Sequence, residues 1–455
     1  MSVKSIASTC CPPFLRSAFS RVENSPIGYR LAKGIFWSMA GAVISRGLML
    51  VATVLVARML GKTGYGELGM IQSTVGMFGV FAGFGLGLTA TKHVAEFCRS
   101  DPDRAGRIVG LSELVAIVTG GLMALGLFIF APWLAAHTIN APQLAGVLRI
   151  SSLILFVSAL IGAQTGALSG FEAFKTIAYV NLFVGLISFP ILVFGTWFGG
   201  LAGAVWALAI NLGVNWLLNH FALRRETRRY NMLVSFKKCA REISILWKFS
   251  LPAVLTGAVV GPVTWVCNAL LVNQPAGYGE MGIFNAANQW RVAIIFIPGM
   301  MGQVILPMLS SLNGLNDQSI YFRVLKINFL INGAAALAVA MPVALASSWI
   351  MNSYGPGFKA GHWVLVCLAF TGVLIAINNV VGQAIVSKGR MWIGLMFNSL
   401  WAIVLIIVSY YGIRRGYGAM ALALASLIAY LMHSIWQSAY AFRLIRAEEN
   451  RRVCA

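Results

Sequence analysis

Three arginines lie inside long apolar runs, and each needs something there to hold its charge. They are Arg46, Arg149 and Arg291; the other Lys and Arg residues, of 34 in all, lie between the runs or at their ends. An arginine at the centre of a bilayer costs about 2.5 to 3.5 kcal/mol on an insertion scale, so it faces protein or water. Arg46 is twelve residues into its run, roughly 18 Å deep at ~1.5 Å per residue and too far to extend to either surface. Arg291 is eight residues into its own, roughly 12 Å deep. Both read as cavity-lining. Arg149, about one turn inside, reads either as snorkelling to the interface or as lining a cavity. On the helix of Arg291, Asn285, Asn288 and Gln289 share with it one sector of roughly 160° at 100° per residue. Lipid cannot cover that face, which is either wet or bonded to another helix. The matching chemistry is recognition without bond breaking, since a guanidinium grips phosphate or carboxylate through a planar, two-pronged fork.

Glu113 is the one acidic residue clearly within a run. It is a candidate for ion coupling, the partner of a nearby arginine, or a residue at the cytoplasmic end of its helix. Three Arg against one Glu suits an anionic cargo, whereas an exporter of organic cations needs the reverse. Asn378, Asn379 and Gln383, with Gln164 and Thr165, read as hydrogen-bonding links between helices.

These side chains have to be carried by elements that cross a membrane. With 455 residues, 59% of them hydrophobic and 10% charged, and a mean hydropathy of +0.80, the chain has more apolar surface than one globule hides. The net charge of +21 follows the gaps between apolar runs, which is an orientation signal and not the footprint of a nucleic-acid binder. The seven cysteines have neither CxxC nor metal-ligand spacing, and no GxxxxGK[ST] loop is present, so no cofactor is expected. The outer connections are short and carry almost no carboxylates besides Glu67 and Glu280, which argues against a membrane-bound glycosyltransferase or any other enzyme.

The apolar runs predict an all-α polytopic membrane protein with twelve transmembrane helices: 34–58, 66–90, 108–131, 145–168, 176–197, 201–222, 249–272, 283–310, 327–350, 361–386, 392–411 and 417–441. An N-terminal tail, 1–33, precedes them. A basic linker, 223–248, divides an N-lobe, 34–222, from a C-lobe, 249–441, and a tail, 442–455, follows. With the N-terminus inside, 26 Lys/Arg fall on the cytoplasmic side and 5 outside, so both termini are expected in the cytoplasm. In the linker, Phe236, Ala240, Ile243 and Trp247 recur at helical spacing and predict a stretch lying on the membrane surface. Pro252 and Pro262 predict a bend in the seventh span.

Gly64-Tyr65-Gly66-Glu67-Leu68-Gly69-Met70 returns 213 residues later as Gly277-Tyr278-Gly279-Glu280-Met281-Gly282-Ile283. Gly203-Ala204 returns as Gly418-Ala419. A period this long marks a duplicated domain, and six spans per copy make the lobes parallel repeats about a pseudo-two-fold axis along the membrane normal. The motif is expected to close the outer turn after the first span of each lobe. Its glycines would supply unusual backbone angles, its Tyr would sit at headgroup depth, and Glu67 and Glu280 would lie in the first turn of the next helix.

Leu60-Gly61-Lys62-Thr63-Gly64-Tyr65-Gly66 resembles the L-G-x-x-x-Y-G turn of the polysaccharide-transporter branch of the multidrug/oligosaccharidyl-lipid/polysaccharide exporter superfamily. The resemblance implies a flippase of the bacterial cytoplasmic (inner) membrane. Its cargo would be an anionic lipid-linked oligosaccharide carried on undecaprenyl diphosphate, moved by alternating access for O-antigen or exopolysaccharide synthesis. Membrane lipid and polysaccharide assembly proteins would be its partners. An ion-coupled antiporter of drugs or organic cations, from the same superfamily, is the alternative.

Overall fold

The computed structural model describes residues 26–234, 236, 239–246, 250, 254, 258–314, 318–387 and 391–453. Among them the regular elements are helical, without strands. In the first half of the chain they are α1 (Pro26–Gly83), α2 (Leu86–Phe97), α3 (Pro102–Trp133), α4 (Ala145–Gly170) and α5 (Phe174–Arg229). In the second half they are α6 (Val260–Val272), α7 (Gly277–Gly314), α8 (Gln318–Leu345), α9 (Ser347–Ser353), α10 (His362–Ser387), α11 (Met391–Arg414) and α12 (Gly418–Val453). Helices satisfy their own backbone hydrogen bonds, as hydrocarbon requires. Eight helical stretches among the described residues are long and apolar enough to cross a membrane, and the chain is a multi-pass membrane protein.

Two of those stretches, Val43–Phe97 and Phe174–Arg229, have 55 and 56 residues. Straight, each would extend roughly 80 Å, against about 30 Å of hydrocarbon. Neither is straight. α5 breaks at Gly200 (φ 54°, ψ −135°), and a Cβ on Gly203 would stand only 1.9 Å from the Gly195 carbonyl oxygen. Its two arms therefore fold back on each other. α1 breaks at Gly61 (φ 67°, ψ 176°), and the hydroxyls of Thr53 and Tyr65 face each other from either side of the break. Both reversals use a backbone region that costs an L side chain strain and glycine none. At the start of α3, Asp101 accepts a hydrogen bond from the Arg104 backbone N–H at 2.9 Å, with Pro102 in the first turn.

Several element limits differ from expectation because helices continue past the apolar runs that predict them. α1 begins at Pro26, inside the expected tail 1–33; α5 runs to Arg229, into the expected linker; α12 runs to Val453, through most of the expected tail 442–455. The bend expected at Pro252, and most of 249–257, lie outside the described residues.

The linker is pinned to the first half. Glu242, buried, holds Arg104 and Arg107 of α3 at 3.2 Å each, and the Leu233 carbonyl lies so close over Gly106 that a Cβ there would come within 2.2 Å. Phe236 and Ile243 stay exposed, as a surface-lying stretch requires; the side chains of Ala240 and Trp247 lie outside the description. α1 packs on α5 within the first half and α7 on α10 within the second, while α1 meets α6 and α7 to join the halves.

Candidate substrate-binding region

The seam between the halves is built by the repeated motif. A Cβ on Gly66 would lie 1.8 Å from the Tyr278 carbonyl oxygen, and one on Gly282 would lie 2.0 Å from the Lys62 carbonyl oxygen. The two copies thus press backbone to backbone at one end of the molecule. This corrects the expectation for the glycines: Gly66, Gly69, Gly279 and Gly282 are helical, and what they supply is close approach. The left-handed residues are Gly61 and Ala276, just before each copy. The expectation for Tyr65 is corrected too. It is 2% exposed and packs between Tyr354 and Phe358 of the second half, ring centroids 6.4 and 6.2 Å away. Tyr278 donates its hydroxyl to the Ile139 carbonyl at 2.8 Å; burial, and after it the nearby Glu67 carboxylate, push its pKa well above the usual tyrosine value. Glu280 lies in the first turn of α7 and also accepts from the Ala419 backbone N–H at the start of α12, 2.8 Å away.

Deeper along the seam, Asn268 donates to the Ser73 hydroxyl at 2.9 Å and the Trp265 indole to the Thr74 hydroxyl at 3.0 Å. Arg46 crosses here. Its Nη2 donates to the Gln289 carbonyl at 3.2 Å, while its Nε is buried without a partner. It lies within electrostatic reach of the Tyr354 hydroxyl, which receives the Trp290 indole N–H at 3.0 Å. Two residues beyond Gln289, Arg291 turns instead toward Tyr430 of α12, its Nε also buried and unpartnered. Neither guanidinium pairs with a carboxylate among the described residues. Arg46 thus reaches this turn of α7 from the first half, while Arg291 leaves the same turn toward α12 within the second half. Each retains donors that a phosphate or carboxylate oxygen would satisfy.

The remaining candidates divide. Asn285 fits into the notch at Gly69 and leaves Nδ2 unpartnered, and Asn288 leaves Oδ1 unpartnered. Gln289 serves through its backbone carbonyl. Arg149 is not brought to this place: it is exposed, with its guanidinium 5.4 Å from the centre of the exposed Phe128 ring. Glu113 faces Arg224, on the same side as the linker. Gln164 links α4 to α5, its amide 3.2 Å from both the carbonyl oxygen and the indole nitrogen of Trp216. Tyr354, Tyr65 and Trp290 belong to the region although their residue types alone do not mark them, since each is an aromatic in an aromatic-rich chain. Among the described residues no group of His, Cys, Asp and Glu is arranged to hold a metal ion.

The chain is similar to several known proteins. A family model described as "Polysaccharide biosynthesis protein" matches residues 31–313. The EPS I polysaccharide export inner membrane protein EpsE of Ralstonia nicotianae is 24% identical over 404 residues, covering 88% of this chain and 91% of that protein. The lipid III flippase of Escherichia coli is 24% identical over 349 residues, covering 75% and 79%. Among solved structures, an inward-facing multidrug resistance MATE family transporter of the MOP superfamily superposes with a TM-score of 0.71 at 14% identity, over 88% of this chain and 96% of that one. A MOP superfamily transporter from Pyrococcus furiosus, whose binding pocket is described as having reverse polarity, gives 0.66 at 13% identity, over 90% and 96%. The chain belongs to the polysaccharide biosynthesis protein family, within the polysaccharide-transporter branch of the MOP exporter superfamily.

Proposed function

We propose that this chain flips an undecaprenyl-diphosphate-linked oligosaccharide across the bacterial cytoplasmic membrane by alternating access, for assembly of a cell-surface polysaccharide. The observation that carries the reading is the pair of carboxylate-free guanidinium groups at one turn of α7, Arg46 reaching it from the first half and Arg291 leaving it toward α12. A diphosphate supplies the acceptors they lack and the charge they need. The relatives' activities, polysaccharide export in one and lipid III flipping in the other, support the same cargo class.

The architecture that goes with this reading is twelve crossings in two six-helix lobes, 34–222 and 249–441, with both termini cytoplasmic. α1 and α5 are each long enough for two crossings and each reverses at a glycine. The other six stretches, α6 and α7 stand for the rest. The Lys/Arg distribution sets the orientation, which places the touching motif copies at the outer end and the Glu242 clasp inside. The copies then close the outer exit while the seam's other end is the entry.

The fold is shared with drug exporters, so export of organic cations is the second reading, yet two guanidinium groups without a carboxylate partner, one at the seam and one beside it, repel such a cargo. Cells lacking the protein should accumulate lipid-linked oligosaccharide on the inner leaflet. Wild type should clear it; Arg46→Ala and Arg291→Ala, inserted at normal levels, should not, and Lys at either site should rescue in part, lacking the fork. Normal polysaccharide export by the double Ala variant, or cation efflux with no lipid-linked intermediate accumulating, would overturn the proposal.

A further inference from the structure

Beside Arg291, and away from the seam, the second half contains polar side chains that each leave a buried atom without a hydrogen-bond partner. They lie where α10, α11 and α12 meet. Asn378 of α10 and Gln437 of α12 are each 6% exposed and Trp401 of α11 is 4% exposed. Asn378 Oδ1, Gln383 Oε1, Gln437 Oε1 and Trp401 Nε1 are all buried without a partner. Contacts connect three residues of this region, since the Asn378 amide donates to the Tyr430 carbonyl at 3.3 Å and the Trp401 and Tyr430 rings lie 5.3 Å apart; farther along α10 the Gln437 amide nitrogen lies 4.0 Å from where a Cβ on Gly382, the chain neighbour of Gln383, would stand. Arg291 joins from α7 through its electrostatic contact with Tyr430. An interhelical link with no other task would be expected to pair its polar atoms.

The unmet groups define what would satisfy them. Three amide oxygens need donors, the Trp401 indole and the Arg291 Nε need acceptors, and His433 Nδ1, buried beside Tyr430, takes either role according to its tautomer. A phosphate offers acceptors alone and would leave the amides unmet. A monovalent cation would answer the amides but leave the two donors unmet, and would stand near a guanidinium. A hydroxyl both donates and accepts, and a sugar ring presents several around an apolar face that stacks on an aromatic ring. We infer that Asn378, Gln383, Trp401, Tyr430 and Gln437 form a saccharide subsite in the second half, with Arg291 at its edge where sugar meets diphosphate. The inference rests on the transport reading above and adds the part of the cargo that this half recognises.

The test uses full-length protein in detergent and two probes: lipid-linked oligosaccharide extracted from cells lacking the protein, and undecaprenyl diphosphate alone. Wild type should bind the sugar-bearing lipid about tenfold more tightly, the worth of one or two good hydrogen bonds. The double variant Asn378→Leu, Gln437→Leu should lose that preference and bind the bare lipid as wild type does. Because it removes buried unmet groups, its melting temperature should hold or rise. Gln437→Leu alone provides a milder readout if the pair fails to fold. A preference that survives the substitutions overturns the subsite. So does a fall in melting temperature with loss of both affinities, which would make the groups structural links, and so does a sodium-dependent stabilisation that the variant abolishes. Equal wild-type affinity for both lipids ends the subsite and spares the transport reading; wild type binding neither lipid ends both.

Discussion

Gly66→Ala tests whether the two motif copies form a contact that opens and closes. The new methyl would stand 1.8 Å from the Tyr278 carbonyl oxygen and 2.8 Å from the Gly282 nitrogen. Both are backbone atoms inside α7, so no side chain can swing away; the helices must part by ~1.5 Å to reach ordinary contact. Overpacking of this kind costs about 1–3 kcal/mol, a shift of roughly 5–150-fold against the state in which the copies touch. The matched control is Gly76→Ala on the same arm of α1, where a Cβ meets nothing within 4 Å. Alanine gains about 1 kcal/mol over glycine in helix propensity at both positions, so their difference isolates the clash. Spin labels on Gln143 and Asn352, exposed residues of the two halves near this end, would report the separation in a cysteine-free background. Gly66→Ala should move population to longer distances and Gly76→Ala should not. Identical distributions for the two variants would show that the contact does not limit opening.

Glu242→Gln removes the charge that holds Arg104 and Arg107. Because the arginines are partly exposed, the loss should be about 1–2 kcal/mol, seen as faster proteolysis within 231–246 while the helical core stays protected; unchanged cleavage would mean the clasp contributes nothing. Arg149→Leu should leave polysaccharide export at the wild-type level, since its guanidinium stacks on an exposed ring away from the seam, and a loss comparable to that of Arg46→Ala would put Arg149 back on the transport path.

What could be read without coordinates was whatever depended on depth or local chain length. Arg46 and Arg291 stood out because an arginine so far inside an apolar run has few places to go. The reversals at Gly61 and Gly200 interrupt apolar stretches too long for a single crossing. What could not be read depended on partners distant in the chain. Tyr65 near the end of an apolar run ordinarily sits among headgroups; here Tyr354 and Phe358 cover it. The motif glycines advertise either a turn or a close approach, and only the position of the Tyr278 carbonyl decides which. Arg149 was open between two readings because the choice depends on Phe128, a neighbour that periodicity does not reveal. The three unmet amides beside Trp401 look like ordinary interhelical links until their contacts are known.

The repeat separates the residues that hold the halves together from those proposed to handle cargo. Gly66 and Gly282 belong to the two copies of one motif, and each is forced against the backbone of the other copy. The duplicated Gly203 and Gly418 both stand at the turn into the last helix of their half. Under the 213-residue register, however, Arg46 matches Val259 and Arg291 matches Phe78. Along the last helix, where the register is 215 residues, Tyr430 matches Asn215. Two like halves meeting at small residues can rock against each other without rebuilding the contact, because backbone-to-backbone packing needs no side chain to change rotamer. The proposed cargo is not symmetric: a diphosphate joins a sugar chain at one end and a lipid at the other. A site proposed to read both ends has to break the repeat, and the residues without a counterpart in the other copy are Arg46 at the seam, Arg291 beside it and the aromatic and amide groups next to Arg291.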